Sequence, residues 1–406
     1  MLYHTHLITA LEARREDFVA FDRALGGEVS EAARRLRALG GVASAGIRET
    51  VASASAARVT YPSDELDSAG SVVVAFGRRW RSHEEARAWA LGVLENRVTF
   101  AADGSQIFPG RDVSMPVAAV QVASFENPHT KEGKYTKDAH SEIITPGELL
   151  KYDRQYESPE QVVGLKRFEL EVKAITDFLG RKKGWRARGE RMPLAFLDGT
   201  LIFSSARQRT GSRFFEEYAG MLVNLVKISR ETEVPVVGYI DQSYAPDLRD
   251  LIEALDGDVP HTSVVYDAQM LRSVSHAESP LLEVWGDRTI FWHCQRTNLA
   301  DGFYDEEGRP LVGFVYVQTT GEGFPARLDI PAWIYEAGLL DEVADTVRAE
   351  CVVGNGYPYA IETADEAAVM TTRDREQFLR VMQEFADNNS FSFRVSRKAA
   401  SKVRRR

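Results

Sequence analysis

Two short segments, Phe100-Ala-Ala-Asp-Gly-Ser105 and Phe196-Leu-Asp-Gly-Thr200, each carry an apolar, strand-like run into an aspartate, a glycine and a hydroxyl. Each aspartate is expected at the last ordered position of a buried strand, while Gly104 and Gly199 let a ligand or phosphate approach the backbone closely. Two carboxylates held at strand ends suit a hard divalent cation bound by oxygen ligands. An Asp-Gly pair alone is most often only a turn, so the reading depends on further acids.

From Val98 onward the chain is built of short apolar runs: Val98 to Ala102, Val117 to Phe125, Leu194 to Leu197, Val236 to Ile240, Thr289 to Trp292 and Leu311 to Gln318. These read as strands of one sheet. Between them lie amphipathic stretches from Gly164 to Leu179 and from Ser212 to Ile228, the second with Phe214, Tyr218, Met221, Leu222, Leu225 and Ile228 at helical spacing. Hairpin-like strands followed by strand-helix-strand units predict a mixed α/β sheet with helices packed on it. Before Val98 the pattern is helical: Leu7, Leu11, Phe18 and Leu25 recur at near-helical spacing, Ser30 is placed to cap a helix from Glu31 to Leu39, and another helix runs from Ser82 to Asn96. Ser53 to Ser68, rich in Ala, Ser and Asp, reads as a loop or short exposed hairpin.

With 406 residues and 44% hydrophobic content, the chain can bury a large core in about two to three structural units. No run approaches the roughly 18 apolar residues that span a bilayer, and Met1-Leu-Tyr-His-Thr-His lacks the order of a signal peptide. A cytoplasmic protein is expected. Cys294 and Cys351 are too few for a disulfide framework or a cysteine-based zinc site. The net charge of −10 argues against a generic nucleic-acid coat protein. Yet Arg394 to Arg406 holds seven basic residues and no acidic one, leaving 43 basic against 60 acidic groups elsewhere. That tail is either an anion-binding arm or a solvated terminus.

Further acids fall where they can join Asp103 and Asp198. On the helix through Leu165 to Ile175, Phe168, Val172, Ile175 and Leu179 make the buried stripe; Glu171 borders it on one side and Glu169 on the other, so periodicity leaves both open. Near the C-terminus, Gly354-Asn-Gly-Tyr-Pro-Tyr359 precedes Asp365, an apolar segment to Met370 and a helix from about Arg373. The glycine-rich turn either aims the Tyr357 hydroxyl at the same cleft or simply anchors a packed ring.

In this order and spacing the segments resemble the NurA nuclease family, the DNA-end-processing partner of the HerA translocase. Phe100-Ala-Ala-Asp-Gly-Ser105 resembles its first motif and Leu197-Asp-Gly-Thr200 its second, either side of a glutamate-bearing helix. Arg327-Leu-Asp-Ile-Pro331 is similar to a late arginine-hydrophobic-acid-hydrophobic-proline segment, and Gly356-Tyr-Pro358 with Ala364-Asp365 to the closing motif. The match runs from about Val98 to Met370. It departs from the family in two ways: Asp365 stands where many members have histidine, and Arg181 to Arg191 lengthens the gap between the glutamate and the second aspartate.

The resemblance implies an RNase H-like mixed sheet flanked by helices with an N-terminal helical extension, divided as 1–95 extension, 96–390 nuclease domain and 391–406 flexible basic tail. It implies a Mn2+-dependent nuclease, or one using Mg2+, with Asp103, Glu171, Asp198 and Asp365 as metal ligands and Tyr357 as a positional active-site residue. By the same resemblance the activity is 5'-to-3' exonuclease and single-strand endonuclease, and the protein is a homodimer resecting DNA ends in double-strand-break repair with a HerA-like hexameric ATPase. The chain lacks a phosphate-binding loop of the Gly-x-x-x-x-Gly-Lys-Ser/Thr type, so translocation is left to that partner. Arg327 has two readings, a phosphate contact or an ion pair with Asp329 or a neighbour. Cationic candidates for DNA are Arg181 to Arg191, Arg78, Arg79 and Arg81, and the tail; Trp80 and Trp185 are candidate base-stacking rings or packing anchors. The alternatives are an RNase H-like nuclease acting on RNA or hybrids, and a non-catalytic adaptor of the translocase.

Overall fold

The structure, a computed structural model, describes residues 3–54, 58–110, 112–151, 158–203, 213–257, 264–272, 279–297 and 299–396. Most of the basic tail, and Ser212 at the head of its expected helix, lie outside them. The chain forms two compact units, one of Met1–Arg79, Ile240–Thr297 and Gly313–Leu328, the other of Trp80–Tyr239, Asn298–Val312 and Asp329–Arg406.

In the first unit the helix expected to start at Ser30 is part of a longer one, Arg15–Ala38, in which the Ser30 hydroxyl donates back to Gly26 O at 2.8 Å. Ser30 is therefore an interior residue and not a cap. The Thr289 to Trp292 run divides into two short strands, Arg288–Thr289 and Trp292–His293, both antiparallel to Val312–Val317. Among the described residues no helix is long and apolar enough to cross a membrane.

The second unit carries the predicted mixed sheet. Strands β1 (Thr99–Ile107), β2 (Ala118–Asn127) and β3 (Thr136–Ile144) form an antiparallel meander. Helix α1 (Pro159–Lys182) then leads to β4 (Leu194–Asp198), and α2 (Arg213–Thr232) to β5 (Val236–Ile240). β4 is parallel to β1 and β5 parallel to β4, in the order β3-β2-β1-β4-β5. This meander with two parallel additions, joined by crossover helices, is the RNase H-like core that the resemblance implies. Helix α1 packs on β1 and β2, as does α4 (Tyr359–Ala368), which follows α3 (Leu340–Val353). The helix expected from Ser82 to Asn96 runs from His83 to Leu94 with Ser82 as its cap, and it buries Ala90 and Leu94 against Ala349 of α3.

Two features depart from the pattern reading. β3 is almost wholly exposed, so it lacks the apolar run by which the other strands were found. β1 does not stop at Asp103 but continues to Ile107, because β2 pairs with it all along; its parallel pairing with β4 ends at Ala102↔Leu197. Asp103 thus lies mid-strand, one residue beyond the point where β4 leaves, while Asp198 is the last residue of β4. Such a parting of strands at their carboxyl ends is where open α/β sheets bind ligands.

Candidate active site

Four of the predicted acids converge within the second unit. Asp103 shares a hydrogen bond with Asp365 of α4, and the charge of Asp198 reaches both Asp103 and Glu171. Adjacent strand residues face opposite sides of a sheet, and Gly104 turns toward α1. A methyl group there would strike Glu171 Oε1 and the Arg167 side chain. Absence of a Cβ at 104 therefore opens the slot through which a helical glutamate reaches the strand.

The structure separates the two glutamates that periodicity left open. Glu171 is 6% exposed, whereas Glu169 is at the surface, ion-paired with Lys166 at 3.1 Å. Glu171 Oε1 is buried without a hydrogen-bond partner; Arg167 Nε stands 3.3 Å from it, and Arg167 Nη1 donates to Gly104 O at 3.1 Å.

Burial lifts the Glu171 carboxyl to about 7, against the pull of Arg167 and with added repulsion from Asp103 and Asp198. Burial likewise lifts Asp103 to about 6; the Gly104 N–H opposes this, and the bond to Asp365 and the charges of Asp198 and Asp365 add to it. Like charges gathered in partial burial explain both directions.

Tyr357 completes the group. The chain leaves α3 through Asn355, with a left-handed φ of 57°, and Gly356, whose N–H donates to Cys351 O at 2.7 Å. This turn delivers the Tyr357 hydroxyl to Asp198 Oδ1 at 2.8 Å and sets its ring edge-on to Tyr239, centroids 5.1 Å apart. Both proposed uses of the turn, an aimed hydroxyl and a packed ring, are realised together.

The hydroxyls after each Asp-Gly are structural ties. Ser105 Oγ accepts from Met370 N at 3.1 Å, fastening the end of α4 to β1. Thr200 Oγ1 donates to Asp329 Oδ2, which also accepts from Leu201 N at 3.1 Å. Gly199 itself has φ of 132°, strained for any residue with a side chain. Asp329 was not singled out as a support of the site; its signal was a lone acid inside the apolar run Leu328-Asp-Ile330. Glu350 was also missed. Buried in α3, it accepts from Ala360 N at 2.9 Å and so holds the first turn of α4.

Several other candidates have structural partners. Arg327, in the first unit, is buried and ion-paired with Asp247. Trp185 is buried with its indole N–H donating to Glu233 O at 2.9 Å, a packing anchor. Around it Arg181 pairs with Glu126, Arg188 with Glu190, and Arg191 donates to Gly92 O and Glu95 O. Trp80 lies tilted against Trp89, centroids 5.2 Å apart.

Among the described residues no three His, Cys, Asp or Glu side chains are already drawn to ion-holding distance. The donor set nevertheless fits a hard cation: every group is an oxygen, and Glu171 presents a buried oxygen that no hydrogen bond uses.

The model of a family described as the NurA domain matches residues 97–370. No curated protein matches the chain. The crystal structure of the NurA nuclease from Sulfolobus solfataricus is similar over 96% of this chain and 98% of that one, at 14% identity and a TM-score of 0.51. A crystal structure of NurA covers 71% of this chain and 88% of its own, at 9% identity and a TM-score of 0.42. A structure of NurA bound to dAMP and manganese covers the same shares, at 12% identity and a TM-score of 0.35.

Proposed function

The chain belongs to the NurA family, and from that premise we propose that it is a divalent-metal-dependent nuclease that hydrolyses the phosphodiester backbone of DNA at strand ends. The observation that carries this reading is the gathering of Asp103, Glu171, Asp198 and Asp365 where β1 and β4 part, with the Tyr357 hydroxyl on Asp198. Asp103 and Glu171, both raised chiefly by burial and further by the charges beside them, form an unfavourable arrangement that a bound cation reverses.

Asp103, Glu171, Asp198 and Asp365 would hold Mn2+ or Mg2+. Such an ion, when bound, polarises the phosphoryl group and lowers the pKa of an attacking water. The protein's part is orientation. Tyr357 fixes one oxygen of Asp198 and so orients the carboxylate; its role is positional, not nucleophilic. Ser105 and Thr200 anchor the two segments that carry Asp365 and Asp198. Asp365 offers an oxygen donor where many relatives offer an imidazole.

The family reading extends to a homodimer working with a HerA-like hexameric ATPase to resect ends in double-strand-break repair, with 5'-to-3' exonuclease and single-strand endonuclease activities. The test is cleavage of end-labelled single- and double-stranded DNA, RNA and hybrid by the purified chain in Mn2+, Mg2+ or chelator, beside Asp103→Ala. Metal-dependent DNA products lost in the variant support the reading. Preference for RNA or hybrid overturns the DNA assignment, and no products with ATPase partner and ATP present favours the adaptor.

A further inference from the structure

The cation that acts on Glu171 in this structure belongs to the chain itself. Arg167, one helical turn earlier on α1, lays its Nε 3.3 Å from Glu171 Oε1 and its Nη1 3.1 Å from the Gly104 carbonyl, bridging the slot between helix and strand. Both Arg167 Nε and Glu171 Oε1 are buried without a hydrogen-bond partner, so the contact is an ion pair of poor directionality. Its order along the helix, cation before anion, is also the less favourable one for helix stability. The glycine at 104 gives up a side chain to admit the pair: a Cβ there would collide with Arg167 Cγ as well as with Glu171. The Arg167 side chain is 35% exposed, leaving it free to swing outward.

We propose that Arg167 is an internal stand-in for the metal, neutralising Glu171 in the metal-free protein and moving, when a divalent cation binds, to a non-bridging oxygen of the scissile phosphate. This rests on the nuclease reading above and adds to it a specific phosphate contact. A guanidinium suits both positions, since it is always charged and its fork matches carboxylate and phosphate alike. No bond is made or broken in the exchange; Glu171 trades one positive partner for another, and the freed arginine meets the anionic substrate that arrives with the ion.

The exchange makes a prediction that a merely structural prop does not. A prop that held Glu171 in place would, on removal, weaken metal binding. A competitor would, on removal, strengthen it while substrate binding suffered. Mn2+ affinity is measured by titration calorimetry on the full chain, without DNA and at a pH above 8 where Glu171 is ionised, for wild type, Arg167→Met and Arg167→Lys. The KM for a single-stranded oligonucleotide is measured at saturating Mn2+. Arg167→Met is expected to bind Mn2+ about threefold tighter or more, as a charge removed beside a partly exposed site allows. Its KM is expected to rise about tenfold with the lost phosphate contact. Arg167→Lys, keeping the charge without the fork, should hold Mn2+ affinity near wild type with an intermediate KM. Weaker or unchanged Mn2+ binding in Arg167→Met, or an unchanged KM, overturns the proposal. A wild-type chain that binds no Mn2+ overturns the nuclease reading beneath it, so the two failures are told apart by which protein fails.

Discussion

Tyr357 Oη donates to Asp198 Oδ1 at 2.8 Å, joining residues separated by 159 positions in sequence. The bond reaches an exposed carboxylate, so its worth lies in orientation more than in stability. Tyr357→Phe keeps the ring against Tyr239 and removes only the donor. Steady-state cleavage is expected to show kcat reduced by about tenfold or more with KM little changed, and thermal unfolding a midpoint close to wild type.

Asp103→Asn should abolish cleavage and stabilise the metal-free protein at the same time. Because burial, Asp365 and Asp198 hold the Asp103 carboxyl up near 6, the folded state keeps a proton that the unfolded chain releases near 4. Stability from this group is therefore present at low pH and lost as pH rises from about 4 to about 6. An amide has no proton to lose. Denaturant unfolding at pH 8 in chelator is expected to give a gain on the order of 1–2 kcal/mol, discounted for partial exposure, and none at pH 4.

Adding metal reverses that slope. Only ionised carboxylates ligate, so Mn2+ must displace protons from Asp103, near 6, and from Glu171, near 7. Mn2+ affinity, read by calorimetry in buffers of different ionisation heat, should rise steeply between about pH 5.5 and 7.5, with proton release that fades above it. An affinity flat across that range would show that these two groups are not ligands.

How much of this was legible in the sequence depends on whether the signal was local. Asp103 and Asp198 were found because an apolar run into Asp-Gly is a local pattern. The position of Asp103 within β1 was not, since the strand is prolonged by pairing with β2, a neighbour that residues 98–102 cannot report. Periodicity could not choose between Glu169 and Glu171, which flank one stripe. The choice is made by Gly104, on another element, whose missing side chain makes room for Glu171 together with Arg167, while Glu169 stays at the surface. β3 escaped notice because an exposed edge strand needs no apolar run. Helix α4 escaped because its first turn, straight after Gly-Tyr-Pro, is held by Glu350 of α3 and not by a cap of its own.

Gly104→Ala tests the slot directly. The added methyl would overlap Glu171 Oε1 and Arg167 Cγ, so the helix or the two side chains must shift. Overpacking of this kind costs about 1–3 kcal/mol. With Glu171 displaced, activity should fall by about a hundredfold, as small misplacements of positioned groups do. Loss of stability with activity intact would mean that Glu171 is not part of the working site.

Asp329 is the last test, because it separates support from chemistry. It is buried, receives the Thr200 hydroxyl and the Leu201 N–H, and so fixes the turn that follows Asp198 without itself joining the carboxylates. Asp329→Ala leaves the buried Leu201 N–H without its acceptor, at a cost of about 1–3 kcal/mol, while the Thr200 hydroxyl keeps Ile202 O within reach. Thr200→Val removes one of the two bonds to Asp329 and also takes the acceptor from Ile202 N, so its cost should be comparable. If the turn sets the aim of Asp198, both variants bind Mn2+ more weakly and lose kcat in the same order as they lose stability. Added Mn2+ should recover part of that activity, since a misaimed ligand lowers affinity where a deleted one, as in Asp198→Ala, removes the site. Activity that follows stability but ignores Mn2+ concentration would place the Asp329 effect in the fold alone.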